Sequence, residues 1–148
     1  MLLSKRCLYG LRAVLYLVIQ PEESGYISIK VIAEALGVPF HFLTKVLQDL
    51  TRAGMLVSSR GVAGGVKLAK PAGNLDVLQV IESLEGDAVF RGCILGLERC
   101  GGKNPCAIHD QWAALRHQMI KMFSSETLEE IAARIDETHL RQYEPCKF

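Results

Sequence analysis

Apolar positions at three- and four-residue intervals dominate the first third of the chain. Leu8, Leu11, Leu15 and Val18 form one stripe, which predicts a core helix over residues 4–20, stopped by Pro21. Ser28 supplies the cap for a second helix through Leu36, and Gly37 its C-terminal signal. After the turn Gly37-Val38-Pro39 a third helix is predicted from Phe40 to Ala53, closed by Gly54. Its apolar stripe is Leu43, Val46, Leu47 and Leu50, and its polar face carries His41, Thr44, Lys45, Gln48 and Arg52. The stripe would hold the helix on a domain and leave the polar face free to meet a partner. Any amphipathic surface helix shows the same division, so the helix alone decides nothing.

The next segment changes the picture. Residues 56–60 and 66–70 read as short strands around Gly61-Val62-Ala63-Gly64-Gly65, with Arg60 at the tip and Lys67 and Lys70 on the returning strand. Two helices joined by a tight glycine-containing turn, then a basic hairpin, are the pattern of a winged helix-turn-helix. On that reading His41, Thr44, Lys45 and Gln48 face base edges and phosphates of double-stranded DNA. The wing residues Arg60, Gly61, Gly64 and Gly65 approach the duplex from the side, where an arginine suits a narrow minor groove. The glycines do not build a nucleotide loop, because no G-x-x-x-x-G-K-[ST] pattern is present.

Pro71 to Gly73 form a joint, and Asp76-x-x-Gln79 is a capping box for a helix ending at Gly86. A cysteine-bearing loop occupies about 88–104. Asn104-Pro105 then offers a cap and a first-turn proline for a helix over 105–123. Along it Ile108, Trp112, Leu115, Met119 and Met122 alternate spacings of four and three, a coiled-coil-like seam that points to a homodimer. A last helix is expected over 127–135. The fold class expected is mainly α with a small β wing: a DNA-binding unit over 1–72, then a loop and dimerisation region over 73–148.

The 148 residues suffice for one compact core, and 49% of them are hydrophobic. The net charge of +1 conceals a division. Residues 1–70 carry nine Lys and Arg against four acids, whereas residues 71–148 carry eight against twelve. The basic half suits a polyanion and the acidic half another task. The apolar stretch 13–19 is too short to span a bilayer, and Gln20-Pro21-Glu22-Glu23 is no small-residue cleavage site. These features point to a cytoplasmic protein with no membrane partner, in a compartment that keeps thiols reduced.

In that setting the pattern Cys93-x6-Cys100-x5-Cys106-x2-His109 reads as a soft-metal site. The paired knuckles of zinc ribbons are absent. A loop could wrap three thiolates around an iron–sulfur cluster, with His109 as a fourth donor near a helix start. Oxidation of Cys93 and Cys100 to a disulfide is the alternative: a DNA-binding thiol switch without metal. Cys7 and Cys146 read as buried or incidental thiols. No acid–base constellation or small-molecule substrate motif accompanies the cysteines, so an enzyme is not expected. An iron–sulfur carrier or redox protein would leave the wing and the basic face without purpose.

These parts, in this order, resemble the IscR/NsrR family of bacterial winged-helix regulators, also called the Rrf-two family. The resemblance rests on residues 3–20, the helices at 28–54, the wing Arg60-Gly61-x-x-Gly64-Gly65, the Leu75–Gly86 segment, the cysteine loop and Trp112…Thr127-Leu128. It reaches about residue 135. It implies a homodimer with a long crossing helix, binding a pseudo-palindromic operator, probed at His41, Thr44 and Lys45. It also implies a transcription regulator, in the first instance a repressor, gated by a cluster that senses nitric oxide, redox state or iron–sulfur status. Cys93, Cys100 and Cys106 would hold that cluster, whether [2Fe–2S] or [4Fe–4S]. The fourth ligand in the iron–sulfur biogenesis regulator is a histidine three residues after the last cysteine, here His109. Nitric-oxide sensors use an acidic residue of the partner's first helix, and the matching position here is Leu8, which cannot ligate. Redox-sensing members use Glu and His at places held here by Leu8 and Arg12, and Cys7 is a neighbouring alternative donor. Pro39 replaces the family's usual polar cap, which shifts the expected start of the recognition helix.

Overall fold

Ser4 caps the first helix by accepting a hydrogen bond from the Cys7 amide at 3.2 Å, and helix α1, Lys5–Ile19, follows. The computed structural model describes residues 3–141 except 87, 99 and 102. Cys7, Ala13, Val14, Tyr16 and Leu17 of α1 are buried. The remaining elements gather around this helix. Helix α2, Ile29–Leu36, starts where the Ser28 hydroxyl accepts from the Lys30 amide at 3.3 Å, and ends at Gly37. Helix α3, Phe40–Arg52, has no side-chain cap because Pro39 stands at the cap position, and it buries Leu43, Val46, Leu47 and Leu50. The start at Phe40 matches the sequence pattern in spite of that proline.

Strands β1, Leu56–Ser59, and β2, Gly65–Leu68, pair antiparallel with Leu56 opposite Leu68 and Ser59 opposite Gly65. An isolated bridge between Ile27 and Val66 ties this hairpin to the entry of α2. Helix α4, Val77–Glu85, carries the capping box read from the sequence: Asp76 accepts from the Gln79 amide at 2.8 Å, and the Gln79 side chain accepts from the Asp76 amide at 3.0 Å. A short helix α5, Ala88–Arg91, leads into the cysteine loop. Helix α6, His109–Ser124, and the short helices α7, Leu128–Ala132, and α8, Glu137–Arg141, complete the described chain. The architecture is therefore mainly helical with a two-stranded wing, as the pattern predicts. One hydrophobic core runs from Cys7 through Leu56, Ile81 and Leu128 to Leu140.

Three details depart from the sequence reading. Helix α6 starts at His109 instead of 105. Asn104 is held in a tight bridge with Gly101, each amide donating to the other's carbonyl, so it cannot serve as a helix cap. The helix expected over 127–135 is shorter, and a further helix lies beyond it. A second capping box, Thr127 with Glu130, starts α7, while the Leu128 amide donates to the Leu75 carbonyl at 2.8 Å and moors the start of α7 to the segment that leads into α4. The later helix α8 is held by arginines: Arg12 donates to the carbonyls of Leu140 at 2.5 Å and Leu36 at 2.8 Å, and Arg141 to that of Ala35 at 2.5 Å. A charge that interrupts an apolar run in sequence thus satisfies the carbonyl ends of two helices. Thirdly, the seam on α6 divides. Met119 packs against the core of its own chain and Trp112 donates to the Gly92 carbonyl, whereas Ile108, Leu115 and Met122 are exposed and spaced by sevens.

Gly10 sets the distance between α1 and its neighbours. A Cβ there would lie 2.2 Å from Leu84 Cδ1 and 3.2 Å from Val46 Cγ1, both on buried side chains. Gly10→Ala gains helix propensity yet overpacks this crossing, so we expect a net loss of about 1–3 kcal/mol. Thermal unfolding checks it; an unchanged or higher Tm would show that Leu84 relaxes freely.

Candidate metal centre and nucleic-acid interface

The exposed face of α3 and the wing enclose a groove of about 710 Å³, bordered by Lys30, Phe40, Gln48, Arg52 and Arg60. His41, Lys45 and Gln48 are exposed on α3, as is Arg60 at the wing. This face therefore presents donors and positive charge together. Thr44 differs from its sequence neighbours: it is half-buried, and its hydroxyl donates to the Phe40 carbonyl at 2.8 Å. Its proton is engaged inside the helix, which leaves a methyl group and acceptor lone pairs for a partner. Arg52 is braced by Asp49 at 2.7 Å, and Asp49 also takes Arg6 of α1 at 2.5 Å. This links the orientation of the exposed α3 face to the core helix.

Within the wing the glycines have different reasons. A Cβ on Gly65 would lie 2.1 Å from the Ile27 carbonyl oxygen, a backbone atom that cannot give way. Gly65 is thus required for the hairpin to dock on the helical body, and Gly64 is similarly crowded by the Ser59 carbonyl at 2.5 Å. Gly61, with φ of 103°, stands in open space. Val62 is fully exposed beside it, so the extreme tip is apolar and Arg60 lies just behind. Lys67 on β2 rests over the Tyr26 ring at 4.8 Å. Phe40, Lys30 and Val62 join this surface although the sequence pattern does not single them out. Their signal is faint: an aromatic at the first position of an amphipathic helix looks like core.

The second site lies between α5 and α6. Cys93, Cys100 and Cys106 place their sulfurs within 4.8 Å of one another, each thiol half-buried. The Cys93 and Cys106 sulfurs are 3.8 Å apart, and Cys100 Sγ lies 3.2 Å from His109 Nδ1. Local turns make this possible: the Gly96 amide donates to the Cys93 carbonyl at 2.9 Å, the Cys100 amide to the Leu97 carbonyl at 3.3 Å, and the His109 amide to the Cys106 carbonyl at 3.0 Å. Helix α6 grips the loop from the other side. Trp112 Nε1 donates to the Gly92 carbonyl at 2.9 Å, and Arg116 reaches the carbonyls of Gly92 and Phe90. Three sulfurs converging without a disulfide are a fitting donor set for a soft metal or an iron–sulfur cluster.

The thiols are not equivalent. The Leu97 amide, above all, lowers the Cys93 thiol to about 7 against an opposing burial effect, with help from the Leu95 amide and the two neighbouring thiols. For Cys100 the Cys106 amide favours the thiolate, but burial and hydrogen bonds with the other two thiols outweigh it and raise the pKa. Cys7 is pushed up to about 12 by burial, reinforced by Glu85, and its side chain sits wholly in the core. It is a packing thiol, not an accessible donor. Cys146 lies outside the described residues. The loop also exposes Ile94, Leu95 and Leu97, each about half accessible.

Comparison with known proteins places this geometry. The profile of the Rrf2 family, described as iron-dependent transcriptional regulators, matches residues 3–134. The HTH-type transcriptional regulator NsrR of Oceanobacillus iheyensis is 30% identical over 136 residues, 91% of this chain and 92% of that protein. Among solved structures, CymR, the global cysteine regulator of B. subtilis, is 28% identical with a TM-score of 0.74, covering 90% of this chain and 98% of that one. IscR of T. potens is 25% identical with a TM-score of 0.71, covering 95% and 92%. No helix among the described residues is long and apolar enough to cross a membrane.

The thiol environments predict an order of reactivity. In reduced, metal-free protein at pH 7.5, iodoacetamide should label Cys93 well before Cys100 and leave Cys7 unmodified until the chain unfolds. Peptide mass mapping of timed samples reads this out. Labelling of Cys7 at the rate of Cys93 would contradict the burial assigned to α1.

Proposed function

This chain belongs to the Rrf2 family of transcription regulators, and from that premise we propose that it binds an operator as a homodimer whose DNA affinity is set by an iron–sulfur cluster. Cys93, Cys100 and Cys106 would hold the cluster with His109 as the fourth donor. The observation that carries the reading is the convergence of three thiols within 4.8 Å, with His109 in contact with Cys100. A bound cluster supplies iron that reacts with nitric oxide or oxygen and changes charge with redox state.

The residues of the chain have separate tasks in this reading. Cys93 is already biased towards the thiolate that metal binding requires. His109 is the first residue of α6, where the helix end favours an anionic group. Trp112 and Arg116 join the loop backbone to α6, so the shape of the loop bears on the position of that helix. Ile108, Leu115 and Met122 form an exposed line at heptad spacing, the face that a second copy would cover. Two recognition helices must lie about one DNA turn apart, roughly 34 Å, to occupy two half-sites together. A loop that moves α6 alters that separation. On the DNA side, His41, Lys45, Gln48 and Arg60 contact the duplex, with the wing glycines allowing close approach. The proposed role is repression in a cytoplasmic regulator without enzymatic activity.

A second reading has its own support. A disulfide needs about 2.05 Å between sulfurs, and Cys93 and Cys106 stand 3.8 Å apart. Modest closure together with two-electron oxidation would make a thiol–disulfide switch without metal, with Cys106 as the partner of Cys93 in place of the Cys100 expected from the sequence. Anaerobic purification separates the two. Brown protein containing iron and acid-labile sulfide in similar amounts supports the cluster. Colourless, iron-free protein after attempted reconstitution, with thiol counts that fall on oxidation, supports the switch. An iron–sulfur carrier would instead transfer its cluster to an apo-acceptor and show no DNA footprint.

Two variant sets test the division of labour. Lys45→Ala and Arg60→Ala should each weaken operator binding by about tenfold or more with iron content unchanged. Cys106→Ala should lose iron and visible absorbance while keeping its helical circular dichroism. Loss of iron in the first pair with normal DNA binding would overturn the assignment of the two sites.

A further inference from the structure

The recognition face contains an apolar element that the hydrogen-bonding residues do not explain. Phe40 is the first residue of α3 and is 44% exposed. Its ring meets the His41 ring edge-on, with centroids 5.4 Å apart, and borders the groove between α3 and the wing. Thr44 lies four residues on, on the same side of the helix. Its hydroxyl proton is engaged with the Phe40 carbonyl, so it can add a methyl group and acceptor lone pairs, but no donor, to the outer surface. Phe42, comparably exposed, has a different setting: its ring packs edge-on against Tyr9 of α1 at 5.5 Å. Phe40 has no such partner in the core helix, and its neighbours on the groove are Lys30, Gln48, Arg52 and Arg60.

An aromatic ring aimed into a DNA groove has few favourable contacts. In duplex DNA the base faces are stacked on one another, so a side chain meets only base edges. Those edges are polar in the major groove, with one exception, the C5 methyl group of thymine. Apolar side chains are therefore matched to thymine and mismatched to the exposed amine of cytosine. Resting on the DNA-binding reading above, we propose that Phe40, with the Thr44 methyl group beside it, reads a thymine in each half-site by apolar contact with its C5 methyl group. The polar residues His41, Lys45 and Gln48 then read or position the neighbouring base pairs. Phe40 is on this account a specificity-determining residue, and its removal relaxes sequence choice more than it weakens overall attachment.

A pool of randomised duplexes is the starting point of the test. The protein, purified anaerobically and used both as isolated and after removal of any iron, selects from that pool the sequences it binds. Each thymine of a selected duplex is then replaced singly by deoxyuridine, which removes the methyl group and nothing else. We expect one thymine per half-site at which this weakens binding about fourfold, the size of one buried methyl group. Phe40→Ala should bind the thymine and uracil duplexes equally, and Phe40→Leu should keep part of the discrimination. A wild-type protein indifferent to every methyl group overturns the proposal without any variant, as does a Phe40→Ala protein that keeps the full penalty. Failure to enrich any duplex is a separate result: it overturns the DNA-binding reading and this proposal with it.

Discussion

The close crossing of α1 over α4 at Gly10 is the constraint on which the rest of the molecule depends. With no Cβ at that position, Leu84 of α4 and Val46 of α3 can both press against the backbone of α1. The core then closes around one helix, and each other part of the fold is referred to it. Arg6 leaves α1 to pair with Asp49, which in turn braces Arg52 on the recognition helix. Arg12 leaves it to satisfy the carbonyl ends of α2 and α8. A shift of α1 would therefore be felt in the recognition helix and in the C-terminal part together. Packed interiors carry displacement in this way because they have little room to absorb it.

The two candidate sites lie about forty residues apart along the chain, and they differ in how they are held. The recognition helix is fixed by four buried aliphatic residues and an ion-paired network. The cysteine loop is held mainly by its own turns and by two side chains of α6 that reach its carbonyls. Such a loop has little apolar burial, and local structure of that kind opens more readily than a core. A bound metal group would supply the missing restraint. The half of α6 that faces inward anchors the helix, while the exposed half, Ile108, Leu115 and Met122, remains for association. Helix α6 thus stands between the loop and the exposed line proposed above as the dimer face.

Much of this was legible along the chain. The helices at 5–19, 29–36, 40–52 and 77–85 follow from apolar stripes and from the signals at Pro21, Ser28, Gly37, Gly54 and Asp76, because local hydrogen bonding and burial agree there. The wing was visible from its glycines and strand pattern. The start of α6 was misplaced because Asn104-Pro105 carries good capping chemistry, yet the Gly101 bridge claims Asn104 first. Helix α8 was missed because five residues carry too little periodicity to read. The division of the α6 seam was hidden for another reason: spacing identifies an apolar face but not which neighbour covers it.

The sequence by itself determined the four helices up to Glu85, the hairpin between the third and fourth of them, and which cysteines and histidine are candidates to hold a metal. Each of these depends on near neighbours in the chain: a cap within three residues, a stripe within two turns, a ligand spacing within seventeen residues. Tertiary structure alone decided which of those residues share a space. It brought three sulfurs together across a loop, made Arg12 a clamp for two helix ends, assigned Gly65 to the docking of the wing on Ile27, and buried Cys7 beyond use as a ligand. The sulfurs meet through the turns that their loop adopts, whereas the other three outcomes turn on distances between segments far apart in sequence, which are set only when the common core closes.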